Sequence, residues 1–147
     1  MCYELEEVED IGFVPTFGYG STFAYCLNLR KVAMIRVDVD TQFSNDTFVK
    51  CTELEEITFK GEIGSDINFQ WSTKLTRASI ENIINHLSDN VSGKTLTLSK
   101  AAVDDAFVWT APNPDGEDFE YGGLEEGSGN EWYPLVASKP NWQITLV

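Results

Sequence analysis

The chain has 147 residues, 24 acidic and 10 basic side chains and a formal charge of -14; 42% of it is apolar and 12% aromatic. That is enough apolar material for one core, with too few residues for two independent ones, and too much for a disordered acidic tail. No apolar run approaches the ~18 residues of a membrane span, Met-Cys-Tyr-Glu-Leu-Glu-Glu at the start lacks the basic and apolar regions of a secretory signal, and the negative charge disfavours direct binding to a phosphate backbone. It leaves open a protein that competes with nucleic acid for a basic groove.

Three cysteines form no closed disulfide framework, but their positions organise the first half of the chain. They stand at 2, 26 and 51, 24 and then 25 residues apart. Each opens the same phrase: Cys2, Leu5, Val8; Cys26, Leu29, Val32; Cys51, Leu54, Ile57. Phe23 and Phe48 stand three residues before the second and third cysteine, so the unit is Phe-x-x-Cys-x-x-Leu-x-x-(Val/Ile). A period of ~20–29 residues carrying such a phrase is the mark of a leucine-rich repeat. Leu and Val/Ile should point inward, and the cysteine, a small hydrophobe, should fill a tight corner. Zinc would need converging ligands, usually in close Cys-x-x-Cys pairs, and cysteines one coil apart form a ladder instead.

In chain order, 1–22 reads as an incomplete first turn with no capping segment before it. Residues 23–47 make the second, with Leu29 to Val39 as strand region, and 48–74 the third, with Leu54 to Phe59 as strand and Gly61 and Gly64 in the turn beyond. The pattern then changes. Ile80, Ile83, Ile84 and Leu87 follow helical spacing, Thr76 is the expected N-cap and Ser92-Gly93 the end. A strand over Lys94 to Leu98, a short helix over Ala101 to Phe107, a helix over Trp132 to Ala137 and a strand over Trp142 to Leu146 complete the reading. The expected fold class is α/β: a single domain over 1–147, forming a short leucine-rich-repeat-like solenoid with one curved parallel sheet and helical or irregular crossovers. Repeats of about 24–25 residues fill 1–74, and longer helix–strand repeats fill 75–147 around an acidic insert at 112–131.

The phrase Phe-x-x-Cys-x-x-Leu-x-x-Ile resembles the BspA-like (Treponema-type) leucine-rich repeats of gut bacteria. The segment Leu75 to Leu87 followed by Gly93 to Leu98, with the ending Pro140 to Leu146, is similar to the C-terminal module that often closes such arrays in gut Firmicutes and their phages. The resemblance covers most of the chain. It implies a repeat fold that binds proteins or surfaces, brings no catalytic residues, and points to cell-surface or virion-associated relatives. With no signal peptide expected, a phage source and a cytoplasmic location in the host cell, or a place in the virion, follow from it.

The chain departs from that module at 112–131, which holds seven acids, no bases and five of the eleven glycines. Long segments without secondary structure are uncommon in compact domains and often functional. Phe119, Tyr121 and Leu124 interleave the acids, giving apolar anchors in a negative field. The partner-binding residues expected are Asp115, Glu117, Asp118, Phe119, Glu120, Tyr121, Glu125 and Glu126.

Catalysis has little support. His86 falls off the apolar stripe, on the expected solvent side of its helix, with no Ser or Cys placed to use it. Adjacent carboxylates such as Glu55-Glu56 point to opposite faces of a strand. Asp38-x-Asp40 and Asp115-x-Glu117-Asp118-x-Glu120 offer oxygen ligands for calcium, but neither matches an EF-hand loop. Gly18-Tyr19-Gly20-Ser21 is too short to cradle a phosphate. No metal, cofactor or enzymatic role is therefore assigned. Two functions remain. The first is a non-enzymatic protein-binding repeat module, a virion or surface adhesion part. The second is a small acidic phage inhibitor of anti-CRISPR or DNA-mimic type, blocking the basic nucleic-acid groove of a host defence enzyme. Exposed sheet edges also allow a homodimer.

Overall fold

The computed structural model describes residues 2–12, 20–107, 109–112, 118–121 and 131–147. The elements in chain order are β1 (Glu7–Val8), β2 (Lys31–Val37), β3 (Glu56–Gly61), β4 (Ile67–Phe69), α1 (Arg77–Asn85), β5 (Lys94–Leu98), α2 (Lys100–Ala106), β6 (Trp109–Pro112), β7 (Asp118–Tyr121), α3 (Trp132–Ala137) and β8 (Trp142–Leu146). The architecture is mixed α/β. The described residues form two three-stranded parallel sheets, ordered β1-β2-β3 and β4-β5-β8, and a two-stranded antiparallel pair, β6-β7.

The repeated phrase explains the first sheet. Glu7 pairs with Lys31 and Val8 with Val32, then Lys31 with Glu56 and Val32 with Ile57. The closing apolar residue of each phrase thus falls in one lateral row, and Cys26, Leu29, Val32, Cys51, Leu54 and Ile57 are fully buried. The register of β2 on β3 shifts between Val32 and Ile35: two residues, Ala33 and Met34, bulge out where the repeat interval drops from 25 to 24. The phenylalanines stack along the same direction, Phe23 on Phe48 at 5.4 Å and Phe48 on Phe69 at 4.6 Å between ring centroids. Phe69 opens a fourth phrase, Phe69-x-x-Ser72-x-x-Leu75, in which serine replaces cysteine. The Ser72 hydroxyl donates to the Cys51 carbonyl at 3.0 Å, as the Cys51 thiol donates to the Phe23 carbonyl at 3.0 Å. Each corner is thereby tied to the one before it.

Gly61 and Gly64 are required by close approach. A Cβ on Gly61, at φ +100°, would lie 1.9 Å from the Val37 carbonyl oxygen, and one on Gly64 would lie 2.1 Å from that of Val39.

The expectation of a single parallel sheet is corrected to two. The first sheet stops at β3 because helix α1, not a strand, lies along its outer edge. Thr76 caps α1 as expected, its hydroxyl accepting from the Ser79 N–H at 3.2 Å. Side chains of α1 then take the place of a fourth strand. The Ile57 N–H donates to Ser79 Oγ at 3.0 Å and the Phe59 N–H to Asn82 Oδ1 at 2.7 Å, while Ser79 Oγ donates to the Glu55 carbonyl at 3.0 Å. Strand pairing resumes in the second sheet, with β4 on β5 and β5 on β8 in unbroken register (Ile67↔Leu96, Leu96↔Ile144). Helix α1 ends at Asn85, earlier than Ser92-Gly93, and His86 is its C-cap.

The last crossover is fastened to the loop after α1. Trp142 Nε1 donates to the Ser88 carbonyl at 2.9 Å, and Lys139 Nζ donates to the Leu87 carbonyl at 2.8 Å and pairs with Asp89 at 3.1 Å. The Lys139 side chain is only 10% exposed, and its charge suits the carbonyl-rich end of a helix. Among the described residues no helix is long and apolar enough to cross a membrane.

Candidate interaction surface

The acidic insert is not the structureless loop expected from its composition. Asp118–Tyr121 within it is strand β7, which pairs antiparallel with β6, the strand that leads into the insert: Trp109 with Tyr121, Thr110 with Glu120, Ala111 with Phe119 and Pro112 with Asp118. Four of the eight residues expected to bind a partner, Asp118, Phe119, Glu120 and Tyr121, therefore share one strand. The other four, Asp115, Glu117, Glu125 and Glu126, lie outside the described residues.

The base of the insert is held by residues on either side of it. Phe107, which follows α2, meets Trp132, the first residue of α3, edge to face at 5.3 Å. Both rings are almost fully buried. The Arg77 guanidinium lies over the Phe107 ring at 4.9 Å, pairs with Glu81 at 2.7 Å and pairs with Glu131 at the end of the insert. A cation over an aromatic face contributes about 0.5–1 kcal/mol at exposed sites, and aromatic pairs about 0.5–1.5 kcal/mol beyond their area. The sequence carried no sign of this clamp, because its members are 30 and 25 residues apart.

The outer face of the first sheet is a second exposed surface. Lys31 stands between Glu7 and Glu56 in the register and pairs with Glu56 at 3.4 Å. Arg36 donates to both carboxylate oxygens of Asp10, at 3.0 and 2.8 Å, and lies beside Lys60 on β3. The Arg36 hydrogen bonds hold the Asp10 carboxyl below the usual carboxylate range, with the charges of Arg36 and Lys60 adding to the effect. Glu7, Asp10 and Glu56 thus face Lys31, Arg36 and Lys60, so this face is charge-balanced in a chain of charge -14.

The remaining candidates for chemistry have structural partners. Burial pushes the Cys26 thiol up to about 11, with its neighbour Cys2 adding to the shift, and burial pushes Cys51 up to about 12, with Cys26 adding. Both thiols are protonated at neutral pH, which removes them as nucleophiles. His86 is half-buried, a correction to the expected solvent position, and its Nδ1 lies 2.7 Å from the Asn82 carbonyl oxygen. Asp38 Oδ1 accepts from the Asp40 N–H at 2.9 Å and from the Thr41 hydroxyl at 3.3 Å, so this carboxylate organises its own turn. Among the described residues no group of three or more His, Cys, Asp or Glu could hold a metal ion.

Comparison with protein-family profiles, with curated proteins and with solved structures finds no match to this chain.

Proposed function

We propose that the chain is a BspA-like leucine-rich-repeat solenoid acting as a non-enzymatic protein-binding module, with the anchored hairpin insert and the outer face of β1-β2-β3 as its contact surfaces. The observation that carries this reading is the clamp of Phe107, Trp132, Arg77 and Glu131 at the base of the insert. A segment serving solubility alone needs no buried aromatic base. One that must present side chains to a partner gains from being held, because ordering costs are met before binding. The charge-balanced sheet face supports a protein partner over a phosphate-like one. An adhesion role on a virion or cell surface is the leading form of this reading. Self-association through a sheet edge would use β1, β4 or β8, since α1 occupies the outer edge of β3; sedimentation velocity of a strict monomer at high concentration would refute it.

A second reading is favoured by one observation, the seven acids without a base at 112–131. In it, the insert occupies the basic groove of a nucleic-acid enzyme as an inhibitor. The test is capture of a partner from host lysate, its purification, and titration against the parent chain, a version with 112–130 replaced by a short Gly/Ser link, and Arg36→Glu with Lys60→Glu. A protein-binding module loses affinity in both variants. An inhibitor loses affinity on insert removal and also weakens steeply with salt. Equal affinity of parent and variants refutes both.

A further inference from the structure

A cleft of about 310 Å³ opens beside β4 and β5 of the second sheet. Ser44, Asn45, Asp66, Asn68, and Thr95 and Thr97 of β5 line it, with Phe43 and Ile67 supplying the apolar part. Its volume is at the small end of ligand clefts, ~300–1,000 Å³. We infer that this cleft is a binding site for a neutral saccharide.

The lining decides the ligand class. It contains hydroxyls, carboxamides and one carboxylate, and no Lys, Arg or His. An anionic ligand would find no cation there and would approach a chain of charge -14. A cationic ligand would find a single carboxylate, exposed and already accepting from the Thr95 N–H at 2.8 Å. Sugar hydroxyls both donate and accept, as do the groups present. The site is also pre-set. Asn68 is 9% exposed; its Nδ2 donates to Asn45 Oδ1 at 2.6 Å and its Oδ1 accepts from the Gln70 N–H at 2.9 Å. Those two bonds fix which end of the amide faces which neighbour. They use one of its two N–H groups and one carbonyl lone pair, leaving one of each for a ligand. Asn68 is the register partner of Thr97, which in turn pairs with Thr145, while Thr95 pairs with Gln143. The polar row therefore runs from the cleft across β5 to β8, so a chain of sugars fits the surface better than a single ring.

The experiment is an NMR titration of the intact chain with neutral tetrasaccharides built on glucose, mannose, galactose and N-acetylglucosamine. Tetragalacturonate serves as the anionic probe and spermidine as the cationic one. One neutral tetrasaccharide should shift the amides of Asn68, Thr95 and Thr97 with a Kd that is insensitive to salt. Asp66→Asn, which keeps an acceptor for the Thr95 N–H, and Thr97→Val should each weaken that Kd about tenfold, the size of one lost hydrogen bond, with the parent's Tm retained. Three results would overturn the inference: no shift with any neutral probe at about 10 mM, a weak affinity by any standard; tighter binding of tetragalacturonate or spermidine; or unchanged affinity in both variants. None of these bears on the insert, so the protein-binding reading stands or falls separately.

Discussion

Replacing Ser79 and Asn82 by alanine tests the role of α1 as a substitute strand, because two effects push stability in opposite directions. Alanine is the better helix former, so each change should stabilise an ordinary exposed helix by about 0.5 kcal/mol. Here each change also removes the acceptor of a strand amide: Ile57 N–H loses Ser79 Oγ at 3.0 Å, and Phe59 N–H loses Asn82 Oδ1 at 2.7 Å. Ile57 is fully buried and Phe59 nearly so, so water does not readily replace the lost partners. An orphaned buried donor costs about 1–3 kcal/mol. After subtracting propensity, each variant should lose about 0.5–2.5 kcal/mol, and the pair together about 1–5 kcal/mol. Against a typical ~5–15 kcal/mol for a domain, the double variant approaches the threshold of folding. Urea unfolding gives the values, read as a fall in midpoint at constant slope. Hydrogen exchange should show faster exchange at Ile57 and Phe59 before other β3 amides. Asn85→Ala, at an exposed position of the same helix, measures propensity alone, and Asn82→Asp restores an acceptor. If both alanine variants match or exceed the parent's stability, the edge-capping argument is wrong.

Four further outcomes follow from the packing and the charges. Phe48→Ala removes a fully buried ring stacked between Phe23 and Phe69 and should cost about 3–5 kcal/mol in urea unfolding, whereas Gly61→Ser at φ +100° should yield little folded protein, since its Cβ meets a backbone oxygen. Arg36→Ala should raise the Asp10 carboxyl towards its ordinary 3.8 in an NMR titration; since the native value is lowered, its contribution is present above that pH and fades as pH falls through the native value. The cysteines act in the other direction: with Cys26 and Cys51 raised from 9.0 to about 11 and about 12, their contribution is complete below pH 9 and is lost as pH rises through those values, seen as a falling Tm in alkaline melts that Cys51→Ser flattens.

The parts of the fold legible in the sequence are those where one side chain decides local geometry. Thr76 marks its helix start because a hydroxyl there satisfies a free N–H, and Lys94 to Leu98 alternates because one face is buried. The Phe-Cys-Leu-Val phrase reveals its own lateral rows, since identical spacing puts identical residues side by side. The strand of the third phrase begins at Glu56, two residues after the expected Leu54, because the Cys51 corner continues through the Leu54 N–H, which donates to the Cys51 carbonyl at 3.4 Å. The fourth phrase is hidden in the sequence because serine stands for cysteine and the interval from Phe48 to Phe69 is 21 residues. Of the second sheet, β5 and β8 are legible as strands, whereas β4, three residues long, is too short for a period to show. The hairpin was masked by Pro112-Asn113-Pro114-Asp115-Gly116, which reads as loop throughout. The polar cleft and the Arg77 clamp join residues distant in sequence, and no local pattern encodes such meetings.

The distribution of charge follows from the same lateral rows. In a parallel sheet, equivalent side chains of successive strands sit about 4.8 Å apart, and like charges at that distance repel. A phrase repeated with glutamate at every equivalent position would therefore oppose its own stacking. The chain alternates instead, Glu7 beside Lys31 beside Glu56, and sets Asp10 against Arg36 where Arg36 and Lys60 adjoin. Each exposed pair contributes little stability, about 0–1 kcal/mol; what alternation avoids is the repulsion of an unbroken acidic row. Half of the excess negative charge gathers instead in the insert at 112–131, with seven acids and no base, where Glu120 lies across from Thr110 and Asp118 from Pro112 rather than from another acid. Its acidity is thus permitted by its departure from the repeat, and the clamp of Phe107, Trp132 and Arg77 fastens the end of the insert at Glu131.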